Sequence, residues 1–151
     1  MNIIDILSPE SIAFDTALSS KKAALEKLSA LIASGDSGIT HNEVFDSLIS
    51  RERLGSTGLG QGIAIPHGRR KGGTKTLGAF LKLETGINYD AIDQKPVDLL
   101  FALIVPEQST QEHLDILSKL AEMFSNTDLV NKLRNEPTPP SIYEILVGNT
   151  S

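Results

Sequence analysis

Apolar residues recur along this chain in two rhythms, and the rhythm changes where glycine, proline or a capping side chain intervenes. Over residues 20–34, Ala24, Leu25, Leu28, Leu31 and Ile32 share one helical face. Ser20 caps this predicted helix and Gly35-Asp36-Ser37-Gly38 stops it. Thr40-His41-Asn42-Glu43 reads as a capping box, in which hydroxyl and carboxylate each satisfy a free backbone N–H. The helix it opens is expected to run to about Leu54 with Val44, Phe45, Leu48 and Ile49 inward. Ser109-Thr110-Gln111-Glu112 reads as a second box, opening a helix with Leu114, Leu117, Ala121 and Phe124 inward. Two shorter helices follow near 127–134 and 140–147.

The strand signals lie between these helices. Ile63-Ala64-Ile65 is a short strand that Pro66 is expected to end, and Thr76 to Leu83 alternates in part. Val97 to Val105 is almost continuously apolar, the mark of a strand buried on both faces. Ile12-Ala13-Phe14 is a further strand. Helices and strands interleave, so the fold class is α/β with a sheet covered on both faces.

Composition narrows the functional classes. A chain of 151 residues is a soft prior for one domain, 1–151. The net charge of −5 argues against generic nucleic-acid binding, although Arg51, Arg53, Arg69, Arg70 and Lys71 leave a local basic spot. There is no cysteine, which excludes thiolate catalysis and is compatible with the cytoplasm. The opening residues show no secretory signal. The longest apolar run, Leu99 to Val105, is far short of the ~20 residues a membrane helix needs.

The candidate chemistry sits at 55–68. Gly55-Ser56-Thr57-Gly58-Leu59-Gly60-Gln61-Gly62 holds four glycines in eight residues, so its backbone is irregular and open to close approach by a ligand. It is neither a Walker A motif nor a dinucleotide fingerprint. His67 follows Pro66 at a strand end, where α/β proteins place ligands. A phosphate-accepting histidine needs a neutral exposed ring nitrogen, a partner on the other nitrogen, and donors aimed at the oxygens. His113 stands in the first turn of a helix, on the stripe of Leu117, Leu120 and Phe124. Arg51 and Arg53 both lie at the edge of an apolar face, and periodicity does not choose between them. His41 reads as exposed, and the Tyr89–Asp93 segment as a turn with solvated charges. No histidine pair has metal-ligand spacing. A lone histidine is more often a surface or core residue than a nucleophile. The residues alone give an anion-binding strand end, not phosphotransfer.

The run from Glu52 through Leu59-Gly60 to Ala64-Ile65-Pro66-His67-Gly68 resembles the signature of the fructose/mannitol-type enzyme IIA domains of the bacterial phosphoenolpyruvate-dependent phosphotransferase system. Ile6-Leu7-Ser8-Pro9, Ser20 to Glu26, Arg51 to Gly58 and Tyr89 to Asp98 are similar to its nitrogen-related branch. Tyr89 departs from the phenylalanine or tryptophan expected there. The resemblance implies a mixed five-stranded sheet with helices on both faces. It implies phosphorylation of His67 on Nε2, with His113 orienting or stabilising and Arg51, rather than Arg53, contacting the phosphate. It implies a histidine-phosphorylated carrier protein as donor and neither metal nor organic cofactor. In that branch the phosphorylation state regulates partner proteins, including those of potassium transport and nitrogen- or carbon-linked control. In the sugar-specific branch the phosphate passes to a IIB domain.

Overall fold

The structure, a computed structural model, describes residues 2–35 and 38–148. Asp36-Ser37 of the expected helix stop lies outside the described residues. Two short 3-10 turns, Ile3–Asp5 and Pro9–Ser11, lead into β1, Ile12–Asp15. Helix α1, Lys21–Ser34, is capped by Ser20, whose hydroxyl accepts from the Ala23 N–H. Helix α2, His41–Glu52, is opened by the Thr40/Glu43 capping box. Then come β2 (Gly58–Gly60), β3 (Ile63–Ala64), β4 (His67–Arg70), β5 (Leu77–Ile87) and β6 (Val97–Pro106). Helices α3 (Thr110–Phe124), α4 (Thr127–Asn135) and α5 (Pro139–Gly148) complete the chain order.

The sheet runs β1-β5-β6-β3-β2, with β4 also paired to β6. It is mixed: β1/β5, β3/β6 and β4/β6 are parallel, while β2/β3 and β5/β6 are antiparallel. Among the described residues the sheet has six strands, which corrects the expected five. The physical reason is visible at Pro66. Strand β3 pairs with Leu99–Leu100 and β4 with Leu103–Pro106, so the two lie in series along one edge of β6. Pro66 lacks an N–H, but its carbonyl still accepts from Leu103, 3.0 Å. The proline interrupts the strand without releasing the chain from the sheet.

Alternation along β5 and β6 separates two cores. Phe80, Leu99, Phe101, Leu103 and Val105 face α3, α4 and α5; Ala79, Leu81, Leu100, Ala102 and Ile104 face α1 and α2. The continuous apolar run of β6 is thus the common wall of both. Two expectations for α3 fail. Its Ser109 side chain makes no capping hydrogen bond, so the second box does not form. The buried stripe is His113, Ile116, Leu120, Met123 and Phe124, and Leu114 is 58% exposed.

The same alternation governs β4. His67 pairs with Leu103 and takes the α3 side; Gly68 pairs with Ile104 and takes the α2 side. A Cβ on Gly68 would collide with the Ser47 hydroxyl and lie 3.0 Å from the Ser47 carbonyl oxygen. Helix α2 therefore rests directly on backbone next to His67. Gly68→Ala is expected to lose about 1–3 kcal/mol of stability in urea unfolding. Adding Ser47→Ala, which removes the nearest atom, should restore part of it. A neutral Gly68→Ala would mean that α2 does not rest on this strand.

Candidate functional site

His67 is half-buried at the start of β4, and its ring is held by the chain just before it. Nδ1 donates to the Ile65 carbonyl at 2.8 Å, in the tautomer that this acceptor requires. Nε2 then carries the free lone pair. Burial holds the ring's pKa below its usual value; the Ile65 hydrogen bond opposes this, Arg51 reinforces it and Glu52 opposes it. The outcome is a neutral imidazole whose lone pair lies on Nε2.

His113 meets His67 edge to face, with ring centroids 5.4 Å apart and planes at 79°. It is 7% exposed, and neither ring nitrogen has a hydrogen-bond partner among the described residues. A buried donor left unsatisfied costs about 1–3 kcal/mol. Its pKa is also lowered, by burial first and then by His67 and Arg69. Its place in the first turn of α3 disfavours an imidazolium for the same electrostatic reason.

The two arginines separate. Arg51 donates from Nη1 to the Gly55 carbonyl at 2.8 Å and acts electrostatically on His67. Arg53 turns instead into a groove between α1 and α2. Arg69, two residues along β4 on the His67 side, adds positive field at His113. It was legible only as part of a basic spot.

Glu52 anchors the loop between Arg51 and β2. Its side chain is 2% exposed. It accepts from the Thr57 N–H at 3.1 Å and from the Thr57 hydroxyl, and pairs with Lys21 at 3.0 Å. The Tyr89 hydroxyl reaches Thr57 at 3.1 Å, and Lys21 lies 4.3 Å above the Tyr89 ring. Burial and the Glu52 charge push the Tyr89 hydroxyl pKa far up, so it stays protonated. Tyrosine at this position is thus part of the network through its hydroxyl, a group that phenylalanine and tryptophan lack.

Two expectations need correction, and the solvated turn at Asp93 has a structural role besides. The glycines of the loop are largely filled by the protein itself: Ala91 occupies the space beside Gly58, Asp93 that beside Gly60, and Arg134 with Asp98 that beside Gly62. His41 is half-buried, stacked on Phe45, with its Nε2 at 3.1 Å from the Glu26 carbonyl oxygen. Asp93 is exposed but structural, accepting from the Gln61 and Lys95 N–H groups. Among the described residues no group of three or more His, Cys, Asp or Glu is placed to hold a metal, and no helix is long and apolar enough to cross a membrane.

The lowered pKa values carry a stability prediction. Unfolded histidines take up protons below about pH 6.5, whereas folded His67 and His113 resist until lower pH. The unfolded state therefore binds more protons in this window, and stability falls as pH falls through it. Urea unfolding is expected to give a lower free energy at pH 5 than at pH 7. Equal values would contradict the neutral, buried pair.

Comparison with known proteins places this geometry. Residues 5–148 match the model of the family described as phosphoenolpyruvate-dependent sugar phosphotransferase system, EIIA 2. The chain is 42% identical over 142 residues to a nitrogen regulatory protein of Pseudomonas aeruginosa, covering 94% of this chain and 92% of that one. The crystal structure of nitrogen regulatory protein IIA-Ntr from Neisseria meningitidis superposes with a TM-score of 0.87 at 43% identity, covering 93% and 96% of the two chains. A fructose-specific EIIA component of Haloferax volcanii is more distant, 32% identical over 97% of each chain. The chain belongs to the EIIA 2 family of the phosphoenolpyruvate-dependent sugar phosphotransferase system, on the side of its nitrogen regulatory members.

Proposed function

We propose that the protein accepts a phosphoryl group on His67 Nε2 from a phosphohistidine carrier and regulates partner proteins through its phosphorylation state. The observation that carries this reading is the 2.8 Å bond from Nδ1 to Ile65, which leaves Nε2 as the nucleophile. The Nε2 lone pair attacks phosphorus, a P–N bond forms, and the bond to the carrier's ring nitrogen breaks. That nitrogen regains its lone pair, so the exchange needs no oxidant, cofactor or metal.

Around the acceptor, His113 holds an unfilled ring N–H for a phosphate oxygen, and Arg51 supplies a charge-assisted donor. Leu54, 83% exposed, and Leu114, 58% exposed, follow directly on Arg53 and His113. Apolar side chains so placed suit a docked carrier that excludes water from the transfer. Adding about two negative charges at one exposed position changes which surfaces this face complements, and that is the regulatory output. A cytoplasmic location follows from such a donor and such partners.

The second reading is a sugar-specific IIA that passes its phosphate to a IIB domain, favoured by the Haloferax relative. Incubating the phosphorylated protein with a fructose-specific IIB domain separates the two. Slow or absent transfer is expected; fast, complete transfer would overturn the regulatory assignment. Removing one charged donor from the phosphate costs about 1.5–3 kcal/mol. Arg51→Ala should therefore slow transfer roughly ten- to a hundredfold, while Arg53→Ala stays close to the parent rate in the same rapid-quench assay. Equal effects would remove Arg51 from the site.

A further inference from the structure

A groove of ≈ 530 Å³ lies between the start of α1 and the end of α2, lined by Lys21, Lys22, Phe45, Ile49, Glu52 and Arg53. Neither His67 nor His113 lines it. Three of the six lining side chains are cationic and one is anionic, in a chain whose net charge is −5. The one carboxylate is already occupied: Glu52 is 2% exposed and engaged by Lys21 and Thr57. Lys21 is likewise committed, to Glu52 and to the Tyr89 carbonyl at 3.3 Å. Among the described residues, Lys22 and Arg53 enter no side-chain ion pair or hydrogen bond. Two uncommitted cations thus border a wall made by Phe45 and Ile49, both only partly buried against the core.

We propose that this groove binds a small organic anion, a carboxylate or phosphate ester on a flat apolar body, at a site separate from His67. A guanidinium offers two parallel N–H donors to a carboxylate or phosphate, and an ammonium adds a point charge beside it. Phe45 and Ile49 cover the apolar part of the ligand, and the volume is that of a metabolite-sized site, roughly 300–1,000 Å³. Glu52 faces the groove on one side and holds Thr57 on the other. The ligand therefore sits against the anchor of the loop that follows α2.

The probe is phenyl phosphate, titrated into the full 15N-labelled chain and followed by amide chemical shifts. Saturable shifts are expected at Lys22, Phe45, Ile49 and Arg53, and they should persist in His67→Ala with affinity within about twofold. The double variant Lys22→Ala/Arg53→Ala should bind about tenfold more weakly, the loss of at least one charge-assisted hydrogen bond. Inorganic phosphate should also bind more weakly than phenyl phosphate, because it leaves the apolar wall uncovered. Shifts centred on His67 and lost in His67→Ala would overturn the proposal, as would equal binding by the double variant or by inorganic phosphate. A blocked Asp-Phe dipeptide binding about tenfold tighter than phenyl phosphate would assign the groove to a protein partner and overturn the small-molecule assignment.

Discussion

His67→Ala is expected to abolish labelling by a phosphorylated histidine carrier while leaving the folded state in place. The expectation rests on geometry rather than on the presence of a histidine. The protein's other histidines cannot take over the role. His41 is stacked on Phe45, with its Nε2 against the Glu26 carbonyl. His113 is 7% exposed, too covered for a carrier's phosphorus to reach. Only His67 combines a half-exposed ring with a bound Nδ1 and a free Nε2. The fold should survive because the strand register of β4 depends on backbone hydrogen bonds and on Gly68, neither of which the substitution touches. Labelling retained in a folded His67→Ala protein would remove His67 as the acceptor.

The second large effect is expected at Glu52, whose side chain is 2% exposed. Glu52→Ala leaves Lys21 without its counter-ion and strips the Thr57 N–H and hydroxyl of their acceptor, all at a buried position. Breaking a buried pair on one side costs about 3–5 kcal/mol. Lys21 keeps 21% side-chain exposure and contact with Tyr89, so the lower end, about 3 kcal/mol, is the expected loss in urea unfolding. Glu52→Gln retains an acceptor for Thr57 and should fall between. A loss below about 1 kcal/mol for Glu52→Ala would show that the network does not anchor the loop.

Comparison of sequence with structure shows what each kind of signal carries. The caps at Ser20 and Thr40 placed α1 and α2 because capping is local chemistry, written within four residues. The apolar run at 97–105 announced the central strand. Strand β4 has no such signal, because proline reads as a terminator whereas pairing with β6 needs only its carbonyl. The inward face of α3 is ambiguous in the sequence because two stripes one residue apart share Phe124. The purely apolar one is the stronger signal, and the buried one contains a polar residue, His113. Both ring nitrogens of that buried side chain lack a partner among the described residues, which is what the proposed phosphate contact would use.

Parts of the candidate site have a sequence signal and parts do not. The motif from Glu52 to Gly68 singled out His67, while the helical wheel left Arg51 and Arg53 tied. The fold separates them by sending Arg53 into the α1/α2 groove. Two features had no sequence signal of their own. The Ile65 carbonyl is backbone, and any residue there would supply it. The Lys21–Glu52–Thr57–Tyr89 network joins residues from four separate segments, which only the folded chain brings together.

The most direct test of the phosphoacceptor assignment is 1H–15N correlation of the histidine ring nitrogens after phosphorylation by the carrier. The predicted spectrum has phosphorus coupled to Nε2 of His67, with Nδ1 still protonated and hydrogen-bonded to Ile65. Phosphorus on Nδ1 of His67, or on either nitrogen of His113, would contradict it.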